Sequence, residues 1–225
     1  MNWKRGLLMA NEVMLNTNFF IDVIENMGRL TEENRNYWTR LDSDIGDGDH
    51  GINLSIGFRA VKEYIDETDF SDIDIKNFLK KVGMTLLGKV GGASGPLYGT
   101  IFIKMANTLS DEKEITCEQL AEMLINGIDG VKTRGKAEVG DKTMVDALEP
   151  GMKVLEEKKS TLTVKDLDEF VEKMKKGAES TIPMVAKKGR AMRLGERAVG
   201  YKDPGAESSY MLFKVIADHL SRKLN

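Results

Sequence analysis

Residues 41–53 read LDSDIGDGDHGIN, an acidic and glycine-rich stretch on which the predicted function of the chain depends. It holds four aspartates, three glycines, an asparagine and one of the chain's two histidines, between two segments with helical periodicity. A loop of this composition cannot build an apolar core, because unpaired carboxylates are costly to bury. We therefore expect it to hold metal ions and, through them, phosphate.

Three of the four aspartates suit a magnesium site. Protein sites for Mg²⁺ offer a few carboxylates and leave the remaining positions to water and phosphate oxygens. Asp47 and Asp49 flank Gly48, which lets the backbone turn so that both carboxylates face one point. Asp42 would approach from the end of the preceding helix. Carboxylates this close together favour divalent cations, and we expect two Mg²⁺ ions. Asp44 is left as a cap or an outer residue.

A calcium loop and a plain polar turn are the alternatives for this stretch. The spacing D-x-D-x-x-D-x-D resembles a calcium loop, but the register and the closing glutamate of an EF-hand are missing. A polar turn would gain nothing from so much like charge. His50 and Asn53 follow at the start of a helix, where free amides and the helix dipole favour an anion. Bracing of the loop and direct contact with phosphate are equally compatible with the position of His50.

Helical periodicity covers most of the chain on both sides of this loop. A first helix is predicted to end near Gly28, and Thr31 to cap a short helix through Trp38. The other predicted helices span residues 51–66, 73–88, 97–109, 117–132, 143–158 and 164–186, with Pro183 as a kink, and a last helix ends near Lys223. We find no convincing strand pattern and predict an all-α fold of about eight substantial helices and one short helix.

Four glycine-rich or charged loops, at residues 41–53, 88–99, 134–143 and 187–205, alternate with these helices. Alternate loops of an up-and-down helical arrangement lie at the same end, so we predict that the four meet on one rim. The second loop, GKVGGASGPLYG, does not match a P-loop. It would offer amides and the Ser94 hydroxyl to phosphate oxygens, or form a tight crossing of two helices through small residues.

Composition narrows the class of partner. A length of 225 residues suits one domain over residues 13–225, with residues 1–12 as an extension that is disordered or precedes the true start. The formal net charge of −3 argues against a nucleic-acid surface. The sequence has no apolar run long enough to span a membrane. The single cysteine, Cys117, excludes an intramolecular disulfide and fits a cytoplasmic protein.

Five motifs follow one another along the chain. They are IGDGDHGIN at 45–53, GMTLLGKVGGASGPLYGT at 83–100, RGKAEVGDKTM at 134–144, KGRAMRLGERAVG at 188–200 and DPGAESS at 203–209. Together they resemble the nucleotide-binding L subunits of dihydroxyacetone kinases, from about residue 13 to the C-terminus. The resemblance implies a barrel of eight antiparallel helices that binds a nucleotide at one end through magnesium.

The resemblance also assigns roles by motif position. Asp42, Asp47 and Asp49 would be the metal ligands. The nucleotide would be bound by His50, Gly51, Ile52, Asn53, Ala93, Ser94, Gly135, Met144, Arg190, Asp203, Pro204 and Gly205. Gly135 and Met144 would lie near the base, where a polarizable thioether suits a flat ring.

His50 and Arg190 are the candidate catalytic residues. A guanidinium can neutralise charge on a phosphoryl group during its transfer. The alternative for Arg190 is a surface salt bridge, because the same loop carries several other basic residues: Lys187, Lys188, Arg193 and Arg197.

The implied reaction is phosphoryl transfer through bound ADP. In the separate-subunit form of the family, Mg-bound ADP accepts phosphate from a phosphohistidine-carrying M subunit and, as ATP, passes it to dihydroxyacetone on a K subunit. Three alternatives stay open: an ATP-dependent kinase component with exchangeable nucleotide, a nucleotide-sensing module that contacts a transcription regulator, and a covalent phosphate carrier on His50. Whether the chain forms a homodimer also stays open.

Overall fold

A computed structural model describes residues 13–224 of the chain. Within this range the chain forms eight α-helices, which confirms the predicted all-α class. The helices are Thr17–Ile45 (α1), His50–Asp66 (α2), Ile75–Lys89 (α3), Ser94–Ala106 (α4), Cys117–Gly135 (α5), Met144–Lys158 (α6), Val164–Ser180 (α7) and Pro204–Leu224 (α8). Two short strands, Met14–Asn16 (β1) and Glu114–Thr116 (β2), and two 3₁₀ segments, Lys159–Thr161 and Ala191–Ala198, complete the fold. The predicted extension, residues 1–12, lies outside the described residues, and the domain boundary at residue 13 stays a prediction.

The helices form a closed ring around one large core. Each helix packs against the next along the chain, and α8 packs against α1. The interior includes fully buried large side chains such as Trp38, Phe78 and Phe170. Each of these contributes about 1.5–3 kcal/mol by its burial, so packing of the apolar helix faces holds the ring together. Across residues 13–224, no helix is both long and apolar enough to cross a bilayer.

Side-chain caps explain where several helices begin. Asn16, Asp74, Thr116, Thr143 and Thr163 each precede a helix and accept a hydrogen bond from a backbone amide in its first turn. Each cap satisfies one of the amides that have no partner within the helix.

The first helix is longer than predicted. Gly28 does not end it, and the prediction of a separate helix from Thr31 to Trp38 is wrong. The hydroxyl of Thr31 donates to the carbonyl oxygen of Met27 at 2.7 Å instead of capping a new helix. Gly28 lies inside this helix, and a Cβ added to it would meet Cβ of Phe58 in α2 at 4.0 Å, an ordinary contact distance.

The predicted bounds on either side of the last loop also need correction. The helix predicted over 164–186 ends at Ser180, so Pro183 lies outside it. The last helix begins at Pro204, where a fixed φ suits the first turn and Asp203 accepts a hydrogen bond from the amide of Ala206 at 2.7 Å. Residues 181–203, called the 181–203 segment below, form the longest connection between two helices in the described range.

The two strands were not predicted, because three residues are too few for an alternating pattern to stand out. They pair antiparallel with Leu15 opposite Ile115. Since β1 precedes α1 and β2 precedes α5, this small sheet joins the ends of the ring where those helices begin.

Candidate functional site

A cavity of about 460 Å³ lies at the opposite end of the ring, where α1, α3 and α5 end and α2, α4, α6 and α8 begin. All four loops singled out in the sequence contribute to its walls, which confirms the prediction that they meet on one rim. The predicted residues on its lining are Asp42, Asp47, Asp49, His50, Ala93, Ser94, Gly135, Met144, Arg190, Asp203, Pro204 and Gly205.

Four helix N-termini converge on this cavity. The first residues of α2, α4, α6 and α8 are His50, Ser94, Met144 and Pro204, and all four line it. The first turn of a helix carries backbone amides without intrahelical partners and the positive end of the helix dipole. The cavity is therefore a favourable place for an anion such as phosphate.

Asp42, Asp47 and Asp49 form one side of the cavity, called the aspartate wall below. Each offers a carboxylate oxygen, and the three oxygens lie within 4.8 Å of one another. Asp42 is held in place because its Oδ2 accepts hydrogen bonds from the amides of Asp49 at 2.8 Å and His50 at 3.1 Å. Gly48 turns the backbone between them with a φ of 71°, in the left-handed region that glycine favours.

The aspartate wall has the donor set of a magnesium site. Burial raises the pKa of Asp42, the two amide bonds lower it, and the neighbouring carboxylates of Asp47 and Asp49 raise it further. Carboxylates that disfavour one another's charge are stabilised when a divalent cation lies between them. Oxygen ligands from three carboxylates suit Mg²⁺, which leaves its other positions to water and phosphate.

His50 lines the cavity next to Ser94, and most of its side chain is buried. Its Nδ1 is 3.0 Å from Oγ of Ser94, and its Nε2 is 2.7 Å from Oγ of Ser208. Ser208 donates to the carbonyl oxygen of Pro204 at 2.8 Å, so its oxygen is left to accept from His50 and from the hydroxyl of Tyr98. This pattern assigns the imidazole proton to Nε2 and leaves Nδ1 to accept from the Ser94 hydroxyl.

Burial lowers the pKa of His50 to about 4, so the ring is neutral near pH 7. A neutral ring with both nitrogens bonded is suited to orienting the Ser94 hydroxyl at the start of α4. Of the two readings left open by the sequence, this geometry favours bracing over direct contact with phosphate.

Three predicted binding residues, Gly51, Ile52 and Asn53, are not among the described residues that line the cavity. They belong to the first turn of α2. A Cβ on Gly51 would lie 2.1 Å from the carbonyl oxygen of Arg35, and one on Gly91 would lie 2.7 Å from Oδ1 of Asn53. Gly51 thus lets α2 approach α1 closely, and the side chain of Asn53 lies against Gly91 of the second loop. Their roles in binding a nucleotide stay predictions.

Arg190 faces the aspartate wall from the 181–203 segment. Its Nη1 lies 2.6 Å from Oδ2 of Asp47, and 60% of the arginine side chain is exposed. An ion pair this exposed contributes at most about 1 kcal/mol. The pair therefore does not fix the guanidinium, which can turn toward another anion in the cavity.

Asp203 closes the cavity beside Gly205, at the start of α8. Burial is the main reason why the pKa of this carboxyl rises to about 7; the hydrogen bond from the Ala206 amide opposes the shift, and the nearby Asp146 adds to it. A carboxyl with this pKa changes charge near neutral pH, which makes Asp203 sensitive to a cation or a phosphate beside it.

Sequence reasoning missed several residues on the cavity wall. They are Leu97, Tyr98, Val131, Lys142, Thr143, Val145 and Lys188. The apolar ones belong to helical stripes and look like ordinary core residues. Lys142 has the sequence context of a surface residue, yet only 1% of it is exposed.

Comparison with known proteins places the chain in a family. Residues 44–218, most of the chain, match the model of the DAK2 domain. The chain therefore belongs to the DAK2 domain family.

Among the relatives, it is 53% identical to the PEP-dependent dihydroxyacetone kinase 2, ADP-binding subunit DhaL, of Listeria innocua, over 94% of this chain and 99% of that protein. It is 44% identical to the PEP-dependent dihydroxyacetone kinase, ADP-binding subunit DhaL, of Escherichia coli, over 84% and 90% of the two chains.

A solved structure has the same fold. The dihydroxyacetone kinase from C. freundii, in complex with AMP-PNP and Mg²⁺, matches with a TM-score of 0.69 and 23% identity. The match covers 97% of this chain but 36% of that kinase, so the chain corresponds to about a third of the larger protein.

Proposed function

We propose that this chain is the nucleotide-binding subunit of a dihydroxyacetone kinase, with ADP as its bound cofactor. The observation that carries the proposal is the cavity itself, where the aspartate wall, four helix N-termini and Arg190 meet. The matches to the relatives from Listeria innocua and Escherichia coli cover nearly the whole length of each relative, and the names of these relatives support the same function.

The aspartate wall would hold Mg²⁺ against the phosphates of the nucleotide. We propose two ions, because three carboxylates whose oxygens lie within 4.8 Å of one another carry more negative charge than one Mg²⁺ would neutralise. When bound, Mg-ADP supplies the terminal phosphate oxygen that takes up the phosphoryl group and later releases it. The carboxylates of Asp42, Asp47 and Asp49 would hold the metal and fix its position.

The helix N-termini would hold the phosphates from the other side. The amide groups at the start of α4 would donate to phosphate oxygens, and His50 keeps the Ser94 hydroxyl in place. The base would lie between Gly135 and Met144, on a part of the wall that Leu97 and Val131 make apolar. Asp203, Pro204 and Gly205 would close the site at the start of α8.

Arg190 is the proposed catalytic residue. A phosphoryl group in transfer spreads negative charge over its oxygens, and a guanidinium that can move from Asp47 toward it stabilises that charge. His50 is proposed to act with Arg190 by keeping Ser94 positioned. Both ring nitrogens of His50 are hydrogen-bonded, which counts against a covalent phosphate on this residue.

Two partner subunits complete the proposed reaction. A K subunit would hold dihydroxyacetone, and an M subunit with a phosphohistidine would recharge ADP, consistent with the words "PEP-dependent" in the names of the relatives. We propose that this exchange takes place in the cytoplasm.

Mass spectrometry of nucleotide released from the denatured, purified protein tests the cofactor role. We expect nearly one ADP per chain after gel filtration in Mg²⁺, and phosphorylation of dihydroxyacetone only when K subunit, M subunit and a phosphoenolpyruvate-driven phosphohistidine relay are all present. Turnover with ATP and the K subunit alone would favour exchangeable nucleotide. Nucleotide binding without any phosphoryl transfer would favour a sensing module.

A further inference from the structure

Lys142 ends in a cage of backbone carbonyl oxygens. Its Nζ donates to the carbonyl oxygens of Tyr201 at 2.6 Å, Thr181 at 2.7 Å and Ala198 at 2.8 Å. The carbonyl oxygens of Met184 and Ile182 lie further out, at 3.2 and 3.5 Å from the same atom. The three shortest contacts match the three protons of an ammonium group.

All five carbonyls belong to the 181–203 segment, which contains little regular structure. Two of the five carbonyls belong to the buried residues Thr181 and Ala198 and need donors. Carbonyl oxygens that face one another also repel unless a cation lies between them. The Lys142 ammonium supplies both the donors and the charge. Together with the hydrogen bond from the Gly200 amide to the Ile182 carbonyl oxygen at 2.8 Å, it joins the two ends of the segment, Thr181 and Tyr201, so that Arg190 lies on a closed loop.

The backbone around Lys142 is built for this contact. Lys142 has a φ of 60°, in the left-handed region that is rare for residues other than glycine, and such a conformation persists only where its surroundings enforce it. The preceding residue, Asp141, accepts a hydrogen bond from the amide of Lys187 at 3.0 Å. The following residue, Thr143, caps α6. The segment is thus attached to the start of α6 by a side chain and by the backbone.

We propose that Lys142 is a positioning residue, which holds the 181–203 segment against the cavity and so places Arg190 and Asp203. Its ammonium group acts through the segment, because its three protons are matched by the carbonyl oxygens of Thr181, Ala198 and Tyr201. The part of this inference that concerns nucleotide binding rests on the proposed function; the part that concerns the order of the segment does not.

The cage has a chemical consequence. Shortening the side chain in Lys142→Ala leaves the five carbonyl oxygens around a space where a small monovalent cation can bind. Ammonium is the closest match to the lost group, because it brings the same charge and N–H donors. Lys142→Met fills the same space with an uncharged chain and offers no room for the ion.

Both variants are compared with wild type and with Lys187→Ala. Lys187 lies in the same region, but 61% of its side chain is exposed and its Nζ is 3.6 Å from the Asp141 carboxylate. The measurements are hydrogen exchange of the 181–203 amides, far-UV circular dichroism, and Mg-ADP affinity by calorimetry.

We expect faster exchange confined mainly to the 181–203 segment in both variants, with the helical signal retained. Mg-ADP affinity should fall about 30-fold, the equivalent of losing hydrogen bonds to one buried charge. Ammonium chloride at about 100 mM should restore most of the protection and affinity of Lys142→Ala by occupying the cage, but not those of Lys142→Met. Lys187→Ala should behave like wild type.

The inference is overturned if exchange in the segment is unchanged, if the whole ring unfolds, or if ammonium affects the Ala and Met variants alike. If wild type itself does not bind Mg-ADP, the proposed function fails. Hydrogen exchange and its response to ammonium then still decide whether Lys142 orders the segment.

Discussion

The two sides of the cavity are held by contacts of very different range. In the aspartate wall, Asp42 accepts hydrogen bonds from amides seven and eight residues further along the chain. The opposite side, the 181–203 segment, is held by Lys142 through contacts that span 39 residues to Thr181 and 59 residues to Tyr201. One side is closed by a short loop, and the other depends on the assembled ring.

This difference suggests that the aspartate wall serves binding and that the 181–203 segment serves catalysis. Short loops lose little entropy on closing, so the aspartate wall can be rigid before a ligand arrives. Arg190 lies on the long segment in an exposed ion pair and can move. We therefore expect changes in the aspartate wall to weaken metal and nucleotide binding, and changes at Arg190 to slow turnover.

Arg190→Ala should give the largest effect. In the reconstituted reaction, turnover should fall about 1000-fold, because a guanidinium at a transferring phosphoryl group commonly contributes that much. Mg-ADP affinity should change about threefold or less, since the exposed pair with Asp47 contributes little. Steady-state kinetics and calorimetry measure the two quantities.

Arg193→Ala is the matched control, an exposed arginine on the same segment that should keep near-normal turnover. Equal losses in both variants would mean that the segment contributes only general positive charge.

Gly51→Ala tests how closely the helix behind the aspartate wall approaches α1. A Cβ at this position would lie 2.1 Å from the backbone oxygen of Arg35, which cannot move aside. We expect a loss of about 3 kcal/mol in the free energy of unfolding, measured by denaturant titration.

Gly88→Ala is the control for a helical glycine. A Cβ on Gly88 meets no atom within 4 Å, so this variant should gain up to about 1 kcal/mol. The same change in stability for both variants would contradict the close packing at Gly51.

Asp47→Asn should lower Mg-ADP affinity about 100-fold, or roughly 2.7 kcal/mol, because it removes one charged ligand from the aspartate wall. Calorimetry at several Mg²⁺ concentrations measures the loss, and excess Mg²⁺ should recover part of it. Asp44→Asn changes an exposed aspartate of the same stretch and should bind within about twofold of wild type. Comparable losses in the two variants would point to net charge and not to ligation.

Asp203→Asn should give the smallest effect, visible in the pH dependence of stability. Burial raises the folded-state pKa of Asp203 to about 7 from an ordinary value of 3.8, so its contribution to stability is present below pH 3.8 and is lost as the pH rises through 7. The variant has no such loss. Relative to wild type it should gain about 2 kcal/mol between pH 4 and pH 8, a value reduced for partial exposure of the carboxyl.

Denaturant titrations in a chelator at both pH values measure this difference, and the titration of His50 cancels because it is common to both proteins. A difference between the two proteins that does not change with pH would show that Asp203 keeps an ordinary pKa.

Much of the fold and one side of the site could be predicted from the sequence. The eight helices follow from apolar periodicity, and the aspartate wall from four aspartates and three glycines within one short stretch. A local pattern gave a wrong prediction where a residue type has two possible roles. Threonine is a common helix cap, but the hydroxyl of Thr31 donates to the carbonyl oxygen of Met27 inside a continuous helix. Gly28 likewise lies inside the first helix, next to Phe58 of α2, and does not end that helix.

The helical class, the four loops and the acidic cluster can be predicted from the sequence, because each depends on residues close together along the chain. The folded chain was needed to show that His50 faces Ser94 and Ser208, that Arg190 meets Asp47, and that Lys142 is buried among carbonyls 39 to 59 residues away. These long-range contacts form only when the ring closes. Closure depends on the packing of all eight described helices, and a local sequence pattern does not predict that packing.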